Sequence, residues 1–357
     1  MFRLTVIAIT LCCGTPSALA QTSWPNQRDA DFLMKDFRFG SGETLPELRM
    51  HYVTLGTAKR NAAGEIINGV LLLHGTSGSS SAWLTPSLAN GLFGKGEPLD
   101  ATEYFVIIPD SIGAGRSSKP SDGLRAKFPH YRYRDAVIAQ HRLVTEGLGI
   151  RRLRLVLGTS MGGMHTWMWG EMFPDAMDGL VPIASQPIGI SGRNWINRRI
   201  RIDAIRNDPE WKGGNYEKNP TTYIYTLPLS AMTTESVVQL QEMAPTREAG
   251  DKLYYALVEE ARKNDANNQL YAIEAVMDYD PSKELEKIKA RLLAINFADD
   301  EVNPPELNVL DPAITRIRHA RHVLVPASRQ THGHYSYLRS ALWKSHLAEF
   351  MKGLPPQ

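Results

Sequence analysis

Leu153-Arg154-Leu155-Val156-Leu157-Gly158-Thr159-Ser160-Met161-Gly162-Gly163-Met164-His165-Thr166-Trp167-Met168-Trp169 is the stretch that decides the fold. Leu153 to Leu157 is a short β-prone apolar run with the length of a buried strand. Gly158-Thr159-Ser160-Met161-Gly162 then matches G-x-S-x-G, and a helix-forming run follows, ending near Pro174. Strand, sharp turn and helix in that order are the context in which this pattern denotes a nucleophile elbow. The tight turn forces the serine backbone into a strained conformation, so Gly158 and Gly162 must clear space around it. The helix N-terminus beyond the turn aims backbone N–H groups at any negative charge that forms beside Ser160.

The chain of 357 residues has room for one large domain or two small ones. Its 43% hydrophobic and 22% charged residues are those of an ordinary globular protein, and a net charge of +2 leaves no footprint for nucleic acid. Arg198-Arg199-Ile200-Arg201, the densest basic cluster, reads as a solvated helix face. At the N-terminus, Arg3, the apolar run Leu4 to Cys13 and Ala18-Leu19-Ala20 form a signal-peptide pattern over residues 1–20, too short to span a bilayer. Export to a periplasm or beyond is expected. Cys12 and Cys13 are the only cysteines and both lie in that leader, so the mature chain has neither disulfide nor thiol chemistry, nor a cysteine-ligated metal.

Further along, Gln21 to Asp31 reads as a loose polar lead-in. Phe37-Arg38-Phe39 and Leu48 to Val53 alternate apolar and polar residues, as in an antiparallel strand pair. Continuous apolar runs at Val70–Leu73 and Tyr104–Ile108 read as buried parallel strands, and Leu180–Ala184, Arg291–Ile295 and His322–Val325 as the strands that follow. Tyr133 to Leu148 and Ser340 to Met351 carry helical periodicity. The alternation predicts an α/β protein, a mostly parallel sheet with flanking helices. From about 186 to 285 the pattern is helical throughout, which predicts an inserted cap over the strand C-termini, where open α/β sheets bind ligands. Residues 21–357 thus form one α/β domain with a cap.

A serine hydroxyl needs a base, and the base needs an orienting carboxylate. In this arrangement they follow the serine in the order acid, histidine, each after a later strand. Asp300, in Asp300-Glu301-Val302-Asn303-Pro304 beyond the Arg291–Ile295 strand, is the expected acid, with Asp299 as its rival. His334, in Thr331-His332-Gly333-His334-Tyr335, is the expected base, with His332 as its rival. The N–H of Met161 and that of Thr76, in the loop His74-Gly75-Thr76, are the expected oxyanion donors. His74 itself suits a local hydrogen bond that holds this loop. Trp83, Trp167, Trp169 and Trp195 are candidates to line a substrate pocket, although Trp167 and Trp169 suit the packing of the elbow helix equally well.

These residues resemble a known family. Gly158-Thr159-Ser160-Met161-Gly162-Gly163-Met164 is similar to the elbow of the homoserine O-acetyltransferases, in the α/β-hydrolase superfamily. The likeness continues through Arg134 to Gln140, Leu148-Gly149-Ile150, Ala204 to Pro209 with Trp211, Gly213 and Gly214, and Asp265 to Asp280. It extends to Asp300 with Pro304-Pro305-Glu306 and to Gly333-His334 with Leu338. It implies an α/β-hydrolase fold, a Ser160–Asp300–His334 triad and a homodimer; a small-molecule ester or acyl substrate is expected, with neither cofactor nor metal. Three places depart from the family. Tyr335 follows His334 where the family has an aspartate that helps hold the amino acid acceptor. The stretch after Pro220 lacks the family's acceptor-binding arginine. The loop Asp110 to Ser117 looks more like that of a general hydrolase of the superfamily. The reading is therefore an exported serine hydrolase of carboxylic esters, with Tyr335 as a further pocket residue. An O-acyltransferase that passes the acyl group to an alcohol is the alternative.

Overall fold

A computed structural model describes residues 24–356; the expected leader at 1–20 lies outside them. Eight strands form one sheet in the order β1-β2-β4-β3-β5-β6-β7-β8. They are β1 (Arg28–Arg38), β2 (Thr44–Leu55), β3 (Gly69–Leu73), β4 (Phe105–Pro109), β5 (Leu153–Thr159), β6 (Met177–Ile183), β7 (Arg291–Phe297) and β8 (Ala320–Val325). β2 runs antiparallel to both β1 and β4, and every other pairing is parallel. The α/β architecture read from the alternation is the one observed.

The central strands are mostly apolar because both of their faces are covered. Along β3, Leu71 and Leu73 enter one core while Val70 and Leu72 enter the other. Helix α1 (Pro86–Leu92) packs on the second face through Leu88, Ala89 and Leu92. Helices α2 (Tyr133–Arg142) and α3 (Met161–Met172) cover the first. Each fully buried Leu or Val contributes about 1.5–3 kcal/mol of apolar transfer energy, so the paired cores fix the sheet's register.

Between β6 and β7 the described chain forms helices and no strand: α4 (Gly192–Arg206), α5 (Thr221–Thr226), α6 (Ala231–Thr234), α7 (Val237–Met243), α8 (Arg247–Lys263) and α9 (Ala266–Glu274), with short 3-10 turns and loops between them. Ile202, Ile205, Tyr223, Val258, Leu270 and Ile273 give these helices an apolar core of their own. After β7, α10 (Leu310–Thr315) leads to β8. Helix α11 (Lys344–Gly353) returns to the α1 side through Leu347, Phe350 and Met351.

Two local expectations need correction. Residues 28–31 are not a loose lead-in but the start of β1, which pairs Arg28 with Thr54 and Asp31 with His51. An edge strand offers open N–H and C=O groups to other chains, and exposed charges such as Asp29, Lys35 and Asp36 blunt that edge. Those charges also hide the strand from a hydropathy reading. The helix expected over Tyr133 to Leu148 is regular only to Arg142, then widens into a π-helical turn over Leu143–Gly147.

Backbone contact at the elbow is close. A Cβ at Gly162 would lie 2.1 Å from the Leu73 carbonyl oxygen, and one at Gly158 would lie 2.0 Å from the Gly162 carbonyl oxygen. Gly162→Ala is therefore expected to cost roughly 3 kcal/mol or more, read by denaturant unfolding and soluble yield. A loss below about 1 kcal/mol would contradict this account of the close contact. Near the far end of α3, burial raises the Glu171 carboxyl from its usual 4.5 to about 7, with Glu284 and Asp280 adding repulsion. The folded protein then holds a proton that the unfolded chain has already released. Its stability should fall as pH rises from about 4.5 towards 7. Melting curves of Glu171→Gln should lack this component of the decline; a pH profile parallel to wild type would refute it.

Candidate active site

Ser160 sits between β5 and α3 with φ 54° and ψ −115°, a backbone conformation that an L-residue adopts only under strain. The strain is held from both sides. β5 pairs with β3 through Leu73 and Gly158 and with β6 through Thr159 and Ile183, and the Ser160 N–H donates to the Ile183 carbonyl at 2.9 Å. The serine side chain is thereby raised above the C-terminal edge of the sheet.

The loops after β7 and β8 meet it there. The Ser160 hydroxyl lies 2.8 Å from His334 Nε2, and His334 Nδ1 lies 2.8 Å from Asp300 Oδ2. His334 and Asp300 are both buried. The Asp300 carboxylate also accepts the Val302 N–H at 2.8 Å, the Asn303 N–H at 3.1 Å and the Asn303 side-chain amide at 3.2 Å. That amide also reaches the Ala184 carbonyl at 2.9 Å, which ties the acid loop to the end of β6. A carboxylate with this many donors is held rigidly, and it fixes the imidazole proton on Nδ1, leaving Nε2 free to accept from serine. Asn303 carries no motif of its own; its position three residues after the acid was the only sequence signal.

The rival residues have other partners. Asp299 accepts from the Thr331 hydroxyl at 2.7 Å and from the Gly333 N–H at 3.1 Å, so it braces the histidine loop from outside. His332 lies 3.0 Å from Glu235 of the helical insertion.

Across the serine, the loop after β3 carries Thr76. His74 Nδ1 donates to the Gly75 carbonyl at 2.8 Å while its Nε2 accepts the Ser111 N–H at 3.0 Å, so the ring is neutral. Burial also lowers its proton affinity. Asp110 adds a second brace, accepting the Ser80 N–H at 2.6 Å and the Arg116 N–H at 2.7 Å. The N–H groups of Thr76 and Met161 donate to no group among the described residues. Both flank Ser160, and Met161 begins α3, where the helix leaves its first N–H groups unpaired.

A cavity of about 250 Å³ opens over Ser160 and His334; Thr76, Arg198, Arg201, Tyr335 and Tyr337 are among its lining residues. Tyr335 stands where it was expected. Trp83 does not: it is buried in the core on the α1 side, because its turn (Ser80–Leu84) folds down onto Leu88 and Leu92 rather than up towards the serine. Trp195 is half-buried and packs between the main core and that of the insertion, outside the cavity lining. Trp167 and Trp169 pack within the protein, donating to Ser185 Oγ and Gln140 Oε1.

The basic cluster on α4 is also not what it was expected to be. Arg199 is solvated and pairs with Asp203, but Arg198 is buried and Arg201 mostly so, and both face the cavity. Their i, i+3 spacing, on the face that also buries Ile202 and Ile205, was the signal available in the sequence.

Known proteins agree with this architecture. The pattern of the alpha/beta hydrolase fold family matches residues 68–328. A probable acyltransferase of Methanothermobacter thermautotrophicus is 30% identical over 79% of this chain and 86% of its own length. A homoserine O-acetyltransferase of Chlorobaculum parvum is 30% identical over 83% of this chain and 86% of its own. Among solved structures, an acetylester hydrolase from Corynebacterium glutamicum superposes with TM-score 0.79 at 21% identity, over 91% of this chain and 96% of its own. The homoserine O-acetyltransferase of Bacillus anthracis gives the same score at 22%, over 92% and 98%. The sheet, the sequence pattern and these relatives together make the chain a member of the α/β-hydrolase family that resembles the homoserine O-acetyltransferases.

Proposed function

We propose that the protein is an exported serine hydrolase that cleaves a carboxylic ester through an acyl-enzyme. The observation that carries the reading is the continuous hydrogen-bonded chain from Ser160 Oγ through His334 to Asp300. In the first half-reaction Ser160 Oγ attacks the ester carbonyl carbon while His334 Nε2 takes the hydroxyl proton. Negative charge gathers on the carbonyl oxygen, facing the Thr76 and Met161 N–H groups; each such donor is worth about 3 kcal/mol to the transition state. The C–O bond to the alcohol then breaks, and the alcohol leaves with the proton from His334. In the second half-reaction a water attacks the acyl carbonyl, His334 takes its proton and returns it to Ser160, and the acid departs. Asp300 orients the imidazole and stabilises the imidazolium that forms.

Acyl transfer is the second reading, favoured by the relatives named as acyltransferase and homoserine O-acetyltransferase. It follows the same first half-reaction, with an alcohol in place of water in the second. Hydrolysis is preferred because Tyr335 lines the cavity where the family has an acceptor-holding aspartate. The A-x-A leader supports export, and the resemblance supports a homodimer.

Turnover of p-nitrophenyl acetate, with and without homoserine as added acceptor, tests both readings. Water as acceptor predicts that homoserine leaves the products unchanged; accumulation of O-acetylhomoserine would favour transfer. Ser160→Ala should abolish both burst and turnover, and unaltered turnover would sink both. Asp300→Asn should lower kcat by roughly 10³–10⁴-fold, through loss of the correct imidazole tautomer. Asp299→Asn, at a group that touches only the loop backbone and Thr331, should lower it by less than about tenfold; equal losses would contradict the assignment of the acid.

A further inference from the structure

Arg198 and Arg201 share the cavity with the nucleophile, and Glu301, the carboxylate in its lining, pairs with Arg193 rather than with either of them. Arg198 is anchored: its Nε donates to the Asn194 side chain at 3.0 Å and its Nη1 to the Ile273 carbonyl at 3.3 Å. Arg201 is not. Its Nε is buried without a hydrogen-bond partner, and no ion pair reaches its guanidinium among the described residues. Beside it, the hydroxyl of buried Tyr223 is also without a partner. Other charges near the site are already matched: Arg193 with Glu301 at 2.5 Å, Arg199 with Asp203 and Arg206 with Glu274. Burial and the neighbouring Arg198 draw the Arg201 guanidinium down to about 10, so it is fully charged at neutral pH.

Two like charges held i, i+3 on one helix face repel each other, and a mostly buried guanidinium with unused donors carries a desolvation cost. A bound anion removes both penalties, and a guanidinium fork matches the two oxygens of a carboxylate. We propose that Arg201, with Arg198 behind it, forms a subsite for a free carboxylate on the substrate, so that the enzyme acts on small monoesters of dicarboxylic acids. The proposal rests on the ester-hydrolase reading above. It differs from amino acid recognition: Glu301, the acidic residue among the cavity's lining, is already paired with Arg193 and is not free to hold an ammonium group.

The test compares monomethyl succinate with dimethyl succinate. Initial hydrolysis rates are followed by titration of released acid in wild type, Arg201→Met and Arg201→Lys. The subsite predicts that wild type favours the monoester in kcat/KM by about tenfold or more. Arg201→Met should erase the preference, mainly through KM, and Arg201→Lys, which keeps the charge and the packing stem, should retain part of it. Absence of a preference, or a preference that survives Arg201→Met, would overturn the proposal. Calorimetry with Ser160→Ala separates this from the chemistry. That variant should bind monomethyl succinate more tightly than dimethyl succinate, and the double variant with Arg201→Met should not discriminate. If esters are not cleaved but this difference in binding holds, the hydrolase reading fails and the anion subsite stands. If esters are cleaved through Ser160 without discrimination, the reverse is true.

Discussion

The structure depends on one close approach, that of α3 to the ends of β3 and β5. Ser160 keeps a left-handed φ only because the backbones on either side of it come nearly into contact. Gly158, Gly162 and the carbonyls of Leu73 and Gly162 leave no room there for a side chain. Strain of this kind costs on the order of 1–3 kcal/mol and persists only where surrounding packing determines it. Here that packing is the fully buried helix α3, from Met161 to Gly170, against a sheet covered on both faces. Stability of the core and presentation of the serine are thus the same interaction. Loosening one relaxes the other.

Around that point, preorganisation comes from backbone donors rather than from long side chains. Asp300 is held by two main-chain N–H groups and the Asn303 amide, and the loop bearing Thr76 by a neutral His74 and by Asp110. None of these groups has to move as charge develops on the substrate, which is where electrostatic stabilisation is most effective. The helical insertion adds the remaining element. Gln269 of α9 hydrogen-bonds Ser77 in the same loop, and α4 turns Arg198 and Arg201 into the cavity. On the proposed function the lower part of the site would carry the acyl chemistry, and the insertion would bear on which acyl group arrives.

Much of this was legible in the sequence, for a physical reason. Strands β3 to β7 are covered on both faces, so they are mostly apolar, and the elbow glycines are dictated by sterics alone. Asp300 and His334 could be chosen over Asp299 and His332 only by order and spacing, because adjacent like residues carry no label of which faces the serine. What was hidden had dual character. β1 is an edge whose charges disguise a strand. Arg198 and Arg201 lie in a basic run that reads as solvent-facing until the helix is rotated. Trp83 is large and close to the loop after β3, but its short turn buries it under the sheet.

The central claim is that Ser160 is acylated and that water then removes the acyl group. Rapid-quench mass spectrometry of the full protein with p-nitrophenyl acetate measures this directly. A single acetyl increment should appear on the peptide carrying Ser160 within the burst, decay at the steady-state turnover rate and yield acetate, and be absent in Ser160→Ala. Turnover without any acyl adduct on Ser160, or an adduct on another residue that forms and decays at the turnover rate, would contradict it.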